Sequence, residues 1–307
     1  MIKVNGNTVD IRKFPNGETF IDINKASIGD RDAVVEFKFE SDQDLMALKF
    51  IKDFIDDIPD RNAPTRLIMG YVPYSRMDRR EENRLFTLKT VANFINDMKF
   101  SSVEVWEPHS DVSVDMLDRV KVVNKSADLA YEAIMDELEV SGSAWLDDGE
   151  YAKSIGMGLV SLFKKAEDAG IWLVYPDAGA EKRYSKQIKY PHIMTATKHR
   201  DFNTGRITSI KVNVPDNIAE DHPECKTAII VDDLCSKGGT FVGTAKELEK
   251  LGFTTIVLCV THCENTVFDG DVFKSGLFSK VYTTNSILTG YMPGNDYTID
   301  NNELCVR

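Results

Sequence analysis

"AIIVDDLCSKGGTF", running from Ala228 to Phe241, places four apolar residues directly ahead of two adjacent acids, then a short polar turn with paired glycines. The apolar run reads as a buried strand of a parallel sheet, and "FVGTAKELEKLG" (241–252) as the helix after it. Asp232 and Asp233 therefore stand at a strand's carboxyl end, where charge is costly unless a partner or ligand meets it. Two carboxylates there can accept hydrogen bonds from vicinal hydroxyls, as on a ribose, or help hold a divalent cation. The following loop, Ser236, Lys237, Gly238, Gly239 and Thr240, opens a helix. Its glycines allow positive φ and a close approach of backbone N–H groups to an anion, and the helix N-terminus adds partial positive charge. The plain alternative is an ordinary strand–turn–helix with Asp as N-cap. Asp-Asp directly after I-I-V and followed by G-G-T is the more specific pattern.

The same rhythm extends in both directions. "DAVVEFKF" (32–39), "SVEVWEPH" (102–109), "IWLVY" (171–175) and "TTIVLCVTH" (254–262) read as strands, and "TRLIMGYVPY" (65–74) as a buried strand running into a polar loop. "DLMALKFIKDFIDDI" (44–58), "LKTVANFINDM" (88–98) and "GMGLVSLFKKAEDAG" (156–170) carry apolar residues at helical spacing. Alternating strands and helices predict βαβ units and mostly parallel sheets flanked by helices. The pattern loosens at "SGSAWLDDG" (141–149), which divides the chain into residues 1–145 and 146–307. In open α/β sheets, ligands sit beyond the carboxyl ends of the strands. Four such ends carry charge: Arg76 and Asp78, then His109, then Asp177, then Asp232 and Asp233.

The totals narrow the function classes. The 307 residues are 42% hydrophobic, enough for one large or two ordinary cores, and the net charge is −12. A surface this acidic disfavours nucleic acid and anionic membrane as partners. An anionic substrate then needs a local cationic site or a metal. The five cysteines form no C-x-x-C pair and no zinc set, so reduced thiols and a cytoplasmic location are expected. No secretory signal opens the chain and no apolar run is long enough to span a bilayer.

"IIVDDLCSKGGT" resembles the phosphoribosyl-pyrophosphate motif of the type I phosphoribosyltransferase fold. With "KFPNGETFIDI", "YVPYSRMDRR", "EPHSD", "PDAGAEKR" and "TKHRDFNTG" in that order, the chain resembles the ribose-phosphate pyrophosphokinases to about residue 285. The resemblance implies two phosphoribosyltransferase-like α/β domains assembled as a homo-oligomer, dimer to hexamer. It implies transfer of the β,γ-pyrophosphoryl group of Mg-ATP to the C1 hydroxyl of ribose 5-phosphate, with AMP leaving. It makes Lys198 and Arg200 the catalytic pair, which neutralises charge on the transferred group. It places ATP against Phe14, with Asn16, Glu18, Arg76 and Asp78 nearby, and puts the Phe14 segment at a neighbouring subunit's site. It associates His109 and Asp177 with Mg²⁺, Asp232 and Asp233 with the ribose hydroxyls, and residues 236–240 with the sugar's phosphate. Read without the resemblance, "FPNGE" is a turn, "KHR" a solvated basic patch, and His109 a polar strand-end residue.

The chain departs from the family at several points. Where the family reads D-D-x-x-D-T-G-G-T, Ser236 replaces the third Asp and Lys237 the first Thr. Lys237 makes the loop more cationic, which suits either the same phosphate or a 5′-extended ribose such as ADP-ribose. Met77 replaces a Gln, Ser110 and Asp111 replace Ala-Gly after the His, and "YTIDNNELCVR" lacks the family's terminal apolar helix. Two rivals stand beside the synthetase. A phosphoribosyltransferase lacks the Arg76, His109 and Lys198 segments. A non-catalytic regulatory homologue typically loses the catalytic loop or metal residues, and here all are present.

Overall fold

The structure is a computed structural model that describes residues 1–25, 28–29, 31–138, 159–200, 207–215, 227–300 and 302–307. Its contacts divide into two compact units, Met1–Val123 and Asn124–Arg307.

The first unit contains strands β1 (Ile2–Val4), β2 (Asn7–Thr8), β3 (Asp10–Lys13), β4 (Thr19–Asp22), β5 (Ala33–Phe37), β6 (Thr65–Met69), β7 (Ser102–Trp106) and β8 (Val120–Val123). Helices α1 (Asp42–Asp56), α2 (Thr87–Asp97) and α3 (Asp111–Met116) connect them. The six-stranded sheet has the order β2-β1-β5-β6-β7-β8, parallel from β5 to β8. β5 alternates Ala33, Val35 and Phe37 inward, against the buried face of α1 formed by Leu48, Ile51 and Ile55. Asp44 starts α1 by accepting the Ser41 N–H at 2.7 Å in a capping box. β3 and β4 form a separate hairpin, and "FPNGE" is its turn: the Phe14 N–H donates to Glu18 O at 2.8 Å and Gly17 takes φ 89°.

The second unit contains α4 (Lys125–Glu137), α5 (Leu159–Asp168), β9 (Ile171–Tyr175), α6 (Ala178–Tyr184), β10 (Ile193–Arg200), β11 (Ile207–Asn213), β12 (Thr227–Cys235), α7 (Gly239–Lys250), β13 (Thr255–Cys263), β14 (Lys280–Thr283), β15 (Asn295–Ile299) and β16 (Asn302–Val306). Its sheet runs β11-β10-β9-β12-β13-β14-β16-β15, and only the two edge pairs, β10–β11 and β15–β16, are antiparallel. The continuous apolar run of β12 is explained by cover on both faces. Ala228 and Ile230 join a core with Phe241, Ala245 and Leu248 of α7. Ile229 and Val231 join a core with Ala130 and Ile134 of α4 and Leu162 of α5.

The units divide at Val123/Asn124, ahead of the expected 145/146 division, because α4 packs its apolar face on β12 and β13. The loosened stretch 141–149 lies outside the described residues. The segment that replaces the family's terminal helix forms the β15–β16 hairpin, and β16 joins β14 in parallel. Cys235, Cys259, Cys263 and Cys305 are free thiols, as expected, and Cys225 lies outside the described residues. Among the described residues no helix is long and apolar enough to cross a membrane.

Candidate active site

The strand order of the second sheet reverses at one place. From β9 the chain steps outward to β10 and β11, whereas β12, β13 and β14 step the other way. The gap beyond the carboxyl ends of β9 and β12 is therefore a topological switch point, where open α/β sheets bind ligands. β9 pairs with β12 only as far as Val174↔Ile230. Beyond that, β9 turns away while β12 continues to Cys235. Asp232 and Asp233 thus lie among the last residues of the strand, near its carboxyl end, on the stretch that no longer pairs with β9.

Neither aspartate is a helix cap. The cap of α7 is Gly238, in the left-handed conformation at φ 82°, and a Cβ there would lie 2.0 Å from Val272 Cγ2. Asp233 follows Ile229 and Val231 on their face of the strand and is buried. On that face it meets Arg183 of α6, whose Nη1 lies 3.1 Å from its Oδ2. Asp232 accepts the Asp233 N–H at 2.9 Å, and its carbonyl accepts the Ser126 hydroxyl at 3.1 Å. Burial, and then the neighbouring Asp233 carboxylate, push the Asp232 carboxyl well above the usual range.

That shift has a sign that can be measured. A carboxyl raised in the fold favours folding while protonated, and the advantage is lost as pH rises from the unfolded value, about 4, through the raised native value. Asp232→Asn keeps the acceptor for the Asp233 amide and removes the carboxyl that the Asp233 carboxylate disfavours in its charged form. It should be more stable than the wild type at neutral pH, on the order of 1–2 kcal/mol. Thermal melts should show the difference shrinking towards pH 4. A variant less stable than the wild type at neutral pH contradicts this account of the site.

Across the gap, Asp177 caps α6. Its Oδ1 accepts the N–H groups of Gly179 at 2.9 Å and Ala180 at 3.0 Å. Its Oδ2 pairs with the ammonium of Lys198, on β10. Burial alone would raise this carboxyl, but the Lys198 ammonium and the two amides outweigh it and hold it below its usual range. The pair lines a cavity of about 630 Å³ with Glu181, Thr195 and Asn213. The backbone of Arg200 lies in β10 beside a register shift at His199/Arg200, and its side chain lies outside the described part of the structure.

The first unit groups its own candidates. Arg76 and Asp78 follow β6, and His109 follows β7, its parallel neighbour. Burial would raise the Asp78 carboxyl, but the Arg79 guanidinium at 2.9 Å holds it below its usual range. Tyr74 and Glu107, each two residues before a candidate, take positive φ of 63° and 37°. Such conformations are costly for residues with a Cβ and collect at functional sites. Phe14, Asn16 and Glu18 form the exposed tip of the β3–β4 hairpin, where Phe14 is 50% exposed and packs tilted against Phe20, with ring centroids 4.8 Å apart. Ser110 occupies the N-cap position of α3 with Asp111 in its first turn, so the added carboxylate has a helix to start.

No protein-family model matches the chain. A ribose-phosphate pyrophosphokinase from Sulfolobus acidocaldarius is 25% identical over 284 residues, covering 91% of this chain and 84% of that protein. One from Sulfurisphaera tokodaii is 26% identical over 290 residues, with the same coverage. The chain is related to the ribose-phosphate pyrophosphokinases. Its fold agrees: the crystal structure of phosphoribosylpyrophosphate synthetase from Mycobacterium smegmatis superposes with a TM-score of 0.64 over 98% of this chain and 85% of that one, at 20% identity. Sequence reading missed the contact that Arg183 makes with Asp233. The Arg183 charge stands one position from the end of α6, a place where a solvated basic residue is ordinary, and only the fold carries it across the switch point to Asp233.

Proposed function

We propose that the protein is an ATP-dependent pyrophosphokinase that transfers the β,γ-pyrophosphoryl group of Mg-ATP to the C1 hydroxyl of ribose 5-phosphate. The observation that carries this reading is the content of the switch point: paired aspartates and a glycine loop on β12, facing an Asp177–Lys198 pair on the β9–β10 side. Asp232 and Asp233 accept hydrogen bonds from the ribose hydroxyls and so orient C1 for attack at phosphorus. The amides of residues 236–240 and the start of α7 hold the 5′-phosphate. Lys198, with Arg200, meets the charge that builds on the transferred group. The Arg183 guanidinium keeps Asp233 in place before the sugar arrives.

Magnesium suits the donor set, since carboxylate oxygens are its preferred ligands and the Asp177 carboxyl is held in its ionised form. Asp177 would hold it in the second unit, where the ion would supply charge neutralisation on the triphosphate; His109, in the first unit, is the other candidate and would act through water. The exposed Phe14, with Asn16 and Glu18, contacts the nucleotide together with Arg76 and Asp78. Its place at a hairpin tip supports a homo-oligomer in which it reaches a neighbouring copy.

A second acceptor has one observation in its favour. Lys237 is exposed at the mouth of the loop, where it can meet a second phosphate on a 5′-extended ribose such as ADP-ribose. The test is AMP release from ATP in the presence of Mg²⁺. Release with ribose 5-phosphate is the expected result. Release with ADP-ribose alone selects the extended acceptor, and no release with either selects a non-catalytic regulatory homologue.

A further inference from the structure

The chain after β13 folds against the 236–240 loop and shapes it. The Glu264 N–H donates to Cys235 O at 2.8 Å, and the Asp271 N–H donates to Lys237 O at 3.3 Å. Gly270 sits so close that a Cβ on it would lie 2.2 Å from Lys237 O. One run of side chains also joins the two segments. The Ser236 and Thr266 hydroxyls are 3.1 Å apart, and the Thr266 hydroxyl donates to a Glu264 carboxylate oxygen at 3.2 Å. Thr266 has a single proton and gives it to Glu264, so Ser236 is the donor to Thr266.

Ser236 is the position where the resembled loop carries its third aspartate. Here the carboxylate stands two hydrogen bonds away, on Glu264. We infer that Thr266 and Glu264 are positioning residues for the phosphate end of the acceptor: they fix Ser236, and with it the loop's amides, from outside the loop. The arrangement keeps a carboxylate's hold on the loop while moving its charge back from the bound phosphate, and Coulomb repulsion falls with that distance. This inference rests on the pyrophosphokinase reading, which makes residues 236–240 the phosphate grip.

Thr266→Val removes the relay hydroxyl and keeps the side chain's shape. Titration calorimetry with ribose 5-phosphate on the full chain should show affinity falling about tenfold, the loss of a hydrogen bond to a charged network. ATP affinity should be unchanged, and turnover at saturating sugar should stay near wild type. Thr266→Ser should restore sugar affinity, and Glu264→Gln, which removes only the charge, should lower it in the same direction. Wild-type protein that binds ribose 5-phosphate no better than Thr266→Val overturns the positioning role alone. Wild-type protein that binds no ribose 5-phosphate overturns the functional reading and this inference with it. Should Thr266→Val fail to melt cooperatively, Glu264→Gln decides: equal sugar affinity in that variant overturns the inference.

Discussion

Lys198→Ala is expected to cut turnover by roughly 10²-fold or more, the usual consequence of removing a group that stabilises charge developing in a transition state. The fold should survive. Lys198 lies on β10 with its ammonium on Asp177, but Asp177 keeps its two amide donors, so α6 remains capped. The melting temperature should therefore stay close to that of the wild type. Lys198→Arg should recover part of the rate by keeping the charge, though the guanidinium does not fit the ammonium's place. Steady-state kinetics with both substrates saturating, beside thermal melts, checks this. Near-normal turnover in a well-folded Lys198→Ala protein defeats the catalytic role assigned to it.

Asp233→Asn should act on the sugar and not on the nucleotide. Asp233 is buried on the β12 side of the switch point and holds Arg183 at 3.1 Å. Replacing the carboxylate by an amide removes a charge-assisted acceptor for the ribose hydroxyls, worth roughly 10- to 100-fold in affinity. The KM for ribose 5-phosphate should rise by that order while the KM for ATP moves little. Equal losses for both substrates would show that Asp233 holds the fold together and does not hold the ribose.

Much of the fold was legible because its signals are local. The runs at 33–37, 65–69, 102–106, 171–175 and 227–235 are strands as read, and the helices between them follow apolar spacing. The sequence brought forward the candidate site through its types of residue, paired acids ahead of a glycine turn. What was hidden depends on neighbours distant in sequence. The length of β12 is set by β13, which pairs with it as far as Cys235↔Cys263 and carries the aspartates inside the strand. The allegiance of α4 to the second unit follows from packing that no local pattern displays. The β15–β16 hairpin is polar and irregular in sequence; its ends are held by Arg307, which pairs with Glu132 and with Asp296 at 2.6 Å. Thr266 and Glu264 lie 30 and 28 residues from Ser236, and only the return of the chain after β13 brings them to the loop.

The central claim is that two phosphoryl groups move together from ATP to the sugar. ATP labelled at its β-phosphate, incubated with the protein, Mg²⁺ and ribose 5-phosphate, separates that claim from every simpler kinase. The account predicts that the label leaves with the sugar as a diphosphate and that the nucleotide product is unlabelled AMP. Label retained in ADP, with a sugar bearing a single new phosphate, would contradict it.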